Sequence, residues 1–389
     1  MSEELSYILI TPHSIRKSRT GAIISRALSR TGLELVATRL FAPSPALVEA
    51  YAESIVSDPD PRFADTQKLI REYVLKNFVP DSTGRPARVL LLVFRGTNAI
   101  ANVRSVVGTI ASERTRGETI RDTFSDYILN EKGQVTYFEP AALAPPDAST
   151  AQRNLQLYAR HSDSDGGVLD TIIPFPAGSA VQKTLVLIKP DNFRFPNGRP
   201  GGIIDIFSRS GLSIIAMKVH RMSVDQAERF YEPVLDILQE INRAPVANRS
   251  TLALEAELGI PIPQTVKKQL GDLLGPIAGR QHWENIIQFM AGRRPSECSE
   301  QEKIHAGTEK CLAIVYQGPD AVQIIRTLLG PTDPSKAPHG TVRREFGQSI
   351  MINAAHASDS SDNAKREMAI IRITENNLKP LVENHYGTL

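Results

Sequence analysis

The sequence has little of what marks a disulfide scaffold, a membrane protein or a strongly charged binding protein. It has 2 cysteines in 389 residues, Cys298 and Cys311, and neither has a cysteine or histidine at metal-ligand spacing. This excludes a disulfide framework and a sequence-local zinc motif. No apolar run approaches the roughly 18 residues that a membrane helix needs. The formal net charge is +2 without a dense block of Lys or Arg, so nothing indicates nucleic-acid or membrane-surface binding.

What remains is the composition of an ordinary globular protein, with 41% hydrophobic and 23% charged residues. The length favours two domains, each able to bury a core. The first residues, Met1 to Leu5, carry acids where a signal peptide needs bases. We therefore expect a reducing, cytoplasmic location.

The two halves of the chain resemble each other. Residues 7–12 (YILITP) resemble residues 185–190 (LVLIKP), and a helix pattern and a Gly-Leu pair before a second strand follow each. Further on, residues 93–96 (VFRG) resemble residues 315–318 (VYQG). The arginines that follow these motifs also correspond, Arg104 to Arg326 and Arg121 to Arg343.

The second half is longer between its second and third strands, which places an insertion at about residues 232–281. Its apolar periodicity predicts helices separated by prolines, at Val234–Ile241, Thr251–Leu258 and Val266–Leu274. The polar, turn-rich segment RHSDSDGG at residues 160–167 indicates a linker. We predict a first domain at residues 1–165, a linker at 166–180 and a second domain at 181–389.

The order of elements in each half predicts the β-α-β-β-α-β plan with extra helices between strands two and three. This α+β plan gives an antiparallel four-stranded sheet with helices on one face. We therefore predict two ferredoxin-like domains, arranged as a pseudo-dimer.

The segment NAAHASDS at residues 353–360 contains the strongest candidate for chemistry, His356. It follows an apolar stretch, Ile350–Ile352, that we interpret as a strand, and precedes a helix-start signal, so it is expected on a loop at a helix N-terminus. Backbone N–H groups and the helix dipole favour a phosphate there, and a neutral imidazole is a competent nucleophile. A lone histidine is more often a surface residue without a task. Glu367, on the following helix, offers an orienting partner.

From Thr184 to Leu389 the second half resembles a nucleoside diphosphate kinase, because four separated motifs occur in that family's order. They are IKPD at 188–191, RTLLGPTDP at 326–334, GTVR at 340–343 and NAAHASD at 353–359, the last with Ala357 in place of the family's glycine. The resemblance implies phosphoryl transfer between nucleotides, with Mg²⁺ accompanying the nucleotide and no dedicated protein metal site. Nucleoside di- and triphosphates are the implied partners, without nucleic acid or membrane. A homo-oligomeric state stays open.

The resemblance also implies a role for each matching residue. His356 would be phosphorylated, Glu367 would orient its ring, Tyr231 would border it, and Ser358 would be a structural member of the loop. The implied nucleotide contacts are Lys189 and Asn353 at the sugar hydroxyl and the end of the phosphate chain, and Arg326, Thr332 and Arg343 at the phosphates. Cations and positioning groups suit a loose phosphoryl-transfer transition state.

Two departures bear on this interpretation. Where the family stacks the nucleotide base on an aromatic residue, this sequence has His282 and Trp283, and Trp283 is either a core residue or part of a base clamp. Ala357 would be strained if its backbone needed a positive φ.

The first half has Thr11 in place of Lys189 and no histidine between Phe124 and Ser149. We expect a degenerate copy without a nucleophile, and whether it binds a nucleotide stays open. The alternatives to a kinase are a non-catalytic nucleotide-binding or scaffold protein and a structural component of a larger assembly.

Overall fold

The computed structural model describes residues 3–55, 61–110 and 116–389. The chain forms two compact units, one of Met1–Val219 with Leu312–Leu389 and one of His220–Cys311. Within the described residues, no helix has the length and apolar character of a membrane span.

The described strands and helices follow the predicted alternation. The strands are β1 (Glu4–Ile10), β2 (Glu34–Phe41), β3 (Val89–Gly96), β4 (Asp126–Leu129), β5 (Val135–Glu139), β6 (Ala142–Leu143), β7 (Val181–Ile188), β8 (Ser213–His220), β9 (Cys311–Pro319) and β10 (Ala355–Ala357). The α-helices are α1 (Pro12–Arg16), α2 (Thr20–Thr31), α3 (Pro45–Ser54), α4 (Pro61–Asn77), α5 (Ala99–Val107), α6 (Ile120–Phe124), α7 (Ala148–Arg160), α8 (Arg199–Ser208), α9 (Val224–Leu258), α10 (Gln264–Ala291), α11 (Glu300–Lys303), α12 (Ala321–Leu329), α13 (Val342–Phe346), α14 (Ser361–Ile370) and α15 (Leu378–Tyr386). Short 3₁₀ helices lie at Pro190–Asn192, Pro295–Glu297 and Pro334–Lys336.

Each half of the chain forms one four-stranded antiparallel sheet. The strand orders are β2-β3-β1-β6 and β8-β9-β7-β10, so each half places its first and third strands at the centre. This is the ferredoxin-like arrangement, and the predicted fold class is confirmed.

The first sheet is covered on both faces, and the prediction of helices on one face is wrong for it. Ile8 and Ile10 of β1 pack in a core with residues of α2 and α5. The alternating residues Leu5, Tyr7 and Leu9 pack with residues of α3, α4, α7 and the C-terminal α15. The side chains of β1 are apolar on both faces of the sheet. The helices between β2 and β3, α3 and α4, therefore help to cover the second face.

The two sheets share a core because α2 packs against α8, the corresponding helix of the second half. Glycines allow the close approach: a Cβ added to Gly21 would lie 2.5 Å from the carbonyl oxygen of Gly201, and one on Gly201 would be closer still to that of Gly21. Equivalent helices thus meet backbone to backbone, as in the predicted pseudo-dimer.

The segment predicted as a linker runs along the edge strands of both sheets. Gly167 donates its backbone N–H to Leu40 of β2 at 3.0 Å, and Leu169 donates to Ile215 of β8 at 2.8 Å. These bonds occupy backbone groups that an edge strand otherwise leaves to solvent.

The second unit is built around α9 and α10, and the prediction of three helices separated by prolines is wrong. Helix α9 continues through Pro233 and Pro245, and α10 through Pro276. A proline in a helix interior costs a hydrogen bond and adds a clash. Packing between the helices offsets this cost, because Gly275 and Gly279 of α10 lie against the backbone of α9.

Candidate active site

His356 lies in the three-residue edge strand β10, with Leu187 of β7 as its cross-strand partner. The expected loop position is therefore wrong, as is the interpretation of Ile350–Ile352 as a strand, because Ile350 is exposed in a bend. Pairing with β7, rather than side-chain propensity, makes Ala-His-Ala a strand. Helix α14 begins after its N-cap, Ser360.

The imidazole of His356 is fixed from one side by a buried carboxylate. Its Nε2 lies 3.0 Å from Oε2 of Glu367, and the Ser358 hydroxyl donates to the same oxygen at 2.6 Å. Ser358 is itself held by a backbone bond to Leu185. Because an ionised carboxylate only accepts hydrogen bonds, this contact places the ring proton on Nε2 and the lone pair on Nδ1. The histidine keeps 22% of its side-chain surface accessible.

Lys189 lies just after β7 and contacts the segment that leads into β10. Its Nζ donates to Oδ1 of Asn353 at 2.7 Å, and its backbone N–H donates to Ala354 at 2.9 Å. Burial, followed by the charge of Arg343, lowers the pKa of Lys189 to about 8, and the charge of Asp191 opposes the shift. A cation buried in this way is stabilised by a phosphate that enters beside it.

Arg343 is held by carbonyl oxygens from both sides of the site. Its guanidinium donates to Gly330 at 3.1 Å and to Ala355 at 3.3 Å, and lies 3.4 Å from the hydroxyl of Thr332.

Arg326 is exposed on α12. The pKa of Asp359 is lowered chiefly by a hydrogen bond from Asn363, and the charge of Arg326 contributes, so Arg326 lies near the loop after β10.

One residue near the histidine has a left-handed backbone conformation, and it is Ala354 rather than Ala357. Ala357, in place of the family's glycine, lies in an extended strand, so the strain considered for it does not arise. Ala354 has a φ of 68° and is fully buried. The tight turn thus precedes the histidine and places the Ala354 carbonyl where Lys189 can donate to it.

Sequence reasoning missed two positioning residues, Asn192 and Arg199. The buried amide of Asn192 donates to the carbonyls of Lys189, at 3.1 Å, and Ala354, at 2.8 Å. Arg199 in turn donates to the amide oxygen of Asn192 at 3.0 Å. Asn192 follows the IKPD motif directly, which is the signal that could have identified it.

The remaining predicted residues, Tyr231, His282 and Trp283, belong to the second unit. Trp283 is 6% exposed, and its indole N–H donates to the Tyr231 carbonyl at 2.9 Å. His282 is exposed on α10. For Trp283, this burial favours the core role of the two that the sequence left open.

The first half keeps the frame of this site and lacks its chemistry. Arg121 donates to Gly108 at 2.8 Å and to Ala142 at 3.2 Å, as Arg343 does to Gly330 and Ala355. The residue after Ala142 is Leu143, at the position of His356. The equivalent of Glu367 on α7 is Asn154, whose amide donates to Tyr7.

A family model matches the chain over most of its length, and individual known proteins resemble about half of it. The nucleoside diphosphate kinase family model matches residues 4–133, 182–236 and 268–376, more than half of the chain. The nucleoside diphosphate kinase of Sulfurisphaera tokodaii is 29% identical over 206 residues, 53% of this chain and 99% of that protein. That of Saccharolobus solfataricus is 29% identical over 189 residues, 49% of this chain and 93% of that protein.

A solved structure of an NDP kinase from Pyrobaculum aerophilum is 30% identical and covers 51% of this chain and 98% of its own, with a TM-score of 0.34. The family match extends over both halves and leaves two internal gaps, residues 134–181 and residues 237–267; the second gap comprises the end of α9, the turn after it and the start of α10. The chain belongs to the nucleoside diphosphate kinase family.

Proposed function

We propose that the second half is an active nucleoside diphosphate kinase. It transfers the γ-phosphoryl group of a nucleoside triphosphate to a nucleoside diphosphate through a phosphohistidine on His356. The observation that carries the proposal is the contact of His356 Nε2 with the Glu367 carboxylate oxygen to which Ser358 also donates, which directs the Nδ1 lone pair away from the carboxylate. Each chain has one such site, because Leu143 stands at the equivalent position of the first half.

In the first half-reaction, the Nδ1 lone pair attacks the γ-phosphorus. The Nδ1–P bond forms while the bond from phosphorus to the β,γ-bridging oxygen breaks, and the diphosphate leaves with that electron pair. Glu367 stabilises the positive charge that develops on the imidazole. A second diphosphate then attacks the phosphohistidine through its terminal oxygen, and the histidine regains its lone pair.

The remaining residues position the phosphate chain. Lys189 and the guanidinium groups of Arg326 and Arg343 neutralise phosphate oxygens, and Thr332 donates a hydrogen bond. Asn353 keeps Lys189 in place and contacts the sugar hydroxyl. For Tyr231, His282 and Trp283, the proposal keeps the roles that the family resemblance implies, at the histidine for Tyr231 and at the base for His282 and Trp283.

Mg²⁺ belongs to the substrate as the magnesium nucleotide. Among the residues that the structure describes, no three His, Cys, Asp or Glu side chains converge to hold a metal ion. Binding through nucleotide phosphates and water fits a small ion that keeps much of its hydration shell. The proposal also keeps the cytoplasmic location expected from the sequence.

Activity should depend on the charge of Lys189. Because burial lowers its pKa to about 8, the free enzyme is cationic there below pH 8 and loses the charge as the pH rises through 8. We expect kcat/KM for the nucleotide, which reports on the free enzyme, to fall above that pH. In Lys189→Arg the guanidinium stays charged and the decline should disappear. The same decline in both proteins would contradict this assignment.

Replacing Glu367 with glutamine should slow phosphorylation of His356 by roughly 100-fold, because the amide no longer fixes the Nε2–H tautomer or stabilises the imidazolium. Rapid-quench labelling with ATP measures the rate, and ¹⁵N NMR of the ring reports the tautomer. Asp362→Asn, an exposed carboxylate-to-amide change on the same helix, is the matched control. An unchanged rate in Glu367→Gln would show that Glu367 does not position the histidine.

Initial-rate kinetics test the proposed function. With ATP and a second nucleoside diphosphate varied together, a phosphoenzyme mechanism gives parallel double-reciprocal lines. Intersecting lines would require a ternary complex without the phosphohistidine. A protein that binds both nucleotides without turnover would be the non-catalytic alternative.

A further inference from the structure

A cavity of about 210 Å³ lies in the first half, where the end of β1 meets the segment that precedes β3. Pro12 and Arg16 form one wall, and residues 76–88 form the other. It shares no lining residue with the His356 site. The cavity lies beside Pro12. Pro12 follows Thr11, which is the first-half counterpart of Lys189.

Four cationic side chains line this cavity: Arg16, Lys76, Arg85 and Arg88. In the described part of the chain, none of the four forms an ion pair. Arg88 is half-buried, and one guanidinium nitrogen donates to the carbonyl of Ile214 at 2.7 Å. Burial, followed by the charges of Arg85 and Arg16, lowers the pKa of Arg88 to about 10. The arginines are therefore close enough to repel one another.

The carboxylate in the lining, Asp81, is engaged in local turn structure. Its Oδ1 accepts from the backbone and hydroxyl of Thr83, at 2.9 and 2.6 Å, and from the backbone of Arg85, at 3.1 Å. These bonds shape the loop that presents Arg85. Asp81 thus helps to place the cations and offsets only part of their charge.

We propose that this cavity is a second anion site that binds two linked phosphate groups. The half-buried Arg88 is repelled by the exposed arginines beside it, a cost that a bound anion removes, and guanidinium groups pair with phosphate through two parallel hydrogen bonds. The volume is below the roughly 300–1,000 Å³ of pockets that enclose a drug-sized ligand. It suits pyrophosphate, or the phosphate tail of a nucleotide whose base stays outside.

Isothermal titration of the full-length protein with magnesium-free pyrophosphate tests this site. All proteins carry Arg326→Gln, to weaken binding at the proposed kinase site. Adding Arg16→Gln with Arg85→Gln should weaken pyrophosphate binding at least tenfold. Adding Arg71→Gln, an exposed change on α4 outside the cavity, should change it less than twofold. Because Arg16 and Arg85 are exposed and repel Arg88, the double replacement should leave the melting temperature unchanged or raise it.

Three results would overturn the proposal: no pyrophosphate binding before the cavity is altered, equal binding after it, or equal weakening by Arg71→Gln. Titration with ADP distinguishes the two sources of the phosphates. If the double replacement also weakens ADP binding tenfold, the occupant is the nucleotide tail. If ADP does not compete with pyrophosphate, the site takes the free anion.

Discussion

His356→Ala should lower kcat for phosphoryl transfer between nucleotides by roughly 10⁴-fold or more. The replacement removes the atom that forms the bond to phosphorus, and water cannot carry the group from one nucleotide to the next. His356 lies in a short edge strand with a partly exposed side chain, so the fold should tolerate the change. A coupled assay of GTP formation from ATP and GDP measures the loss.

His339→Ala is the matched control, because this exposed histidine lies in the same half and outside the proposed site. It should retain the wild-type rate. Nucleotide affinity of His356→Ala, measured by titration with ADP, should stay within a few fold, since Lys189 and Arg343 remain. Turnover by His356→Ala within tenfold of wild type would contradict the assigned nucleophile.

Gly201→Ala should destabilise the first unit by about 3 kcal/mol or more. The new Cβ would meet the Gly21 carbonyl and the backbone of Ser25 where α8 packs against α2. Backbone atoms cannot turn aside, so the two helices must separate and open the shared core. Chemical denaturation followed by circular dichroism measures the change.

Gly202→Ala, one residue along the same helix, is the matched control. Its Cβ would meet the ring of Phe346 at 2.9 Å, and a partly exposed ring can move aside. Alanine also has the higher helix propensity, by about 1 kcal/mol. We expect a change below about 1 kcal/mol. Equal effects of the two replacements would mean that the contact between α2 and α8 does not hold the two sheets together.

The sequence could predict the fold class and propose most of the candidate site because both depend on local patterns in a fixed order. Strand and helix periodicities repeated in the two halves, and Lys189, Arg343 and His356 each lay in a recognisable motif. The structure brings Lys189, Thr332, Arg343, Asn353, Ser358 and Glu367 into a connected set of contacts around the histidine strand.

What the sequence could not predict depends on tertiary packing. The strand state of His356 comes from pairing with β7, and Ala-His-Ala has little strand propensity of its own. The prolines of α9 and α10 suggested helix ends, but packing between the two long helices outweighs the hydrogen bond that is lost at each proline. The correspondence of Leu143 and Asn154 with His356 and Glu367 depends on the equivalent hydrogen bonds of Arg121 and Arg343, which no local sequence pattern contains.

The stoichiometry of labelling tests the central claim most directly. Purified protein incubated with γ-³²P-labelled ATP and Mg²⁺ should take up close to one label per chain, stable to base and labile to acid, and pass it to added GDP. His356→Ala should take up none. Label of equal amount in His356→Ala, or label that GDP does not remove, would contradict a phosphohistidine at this residue.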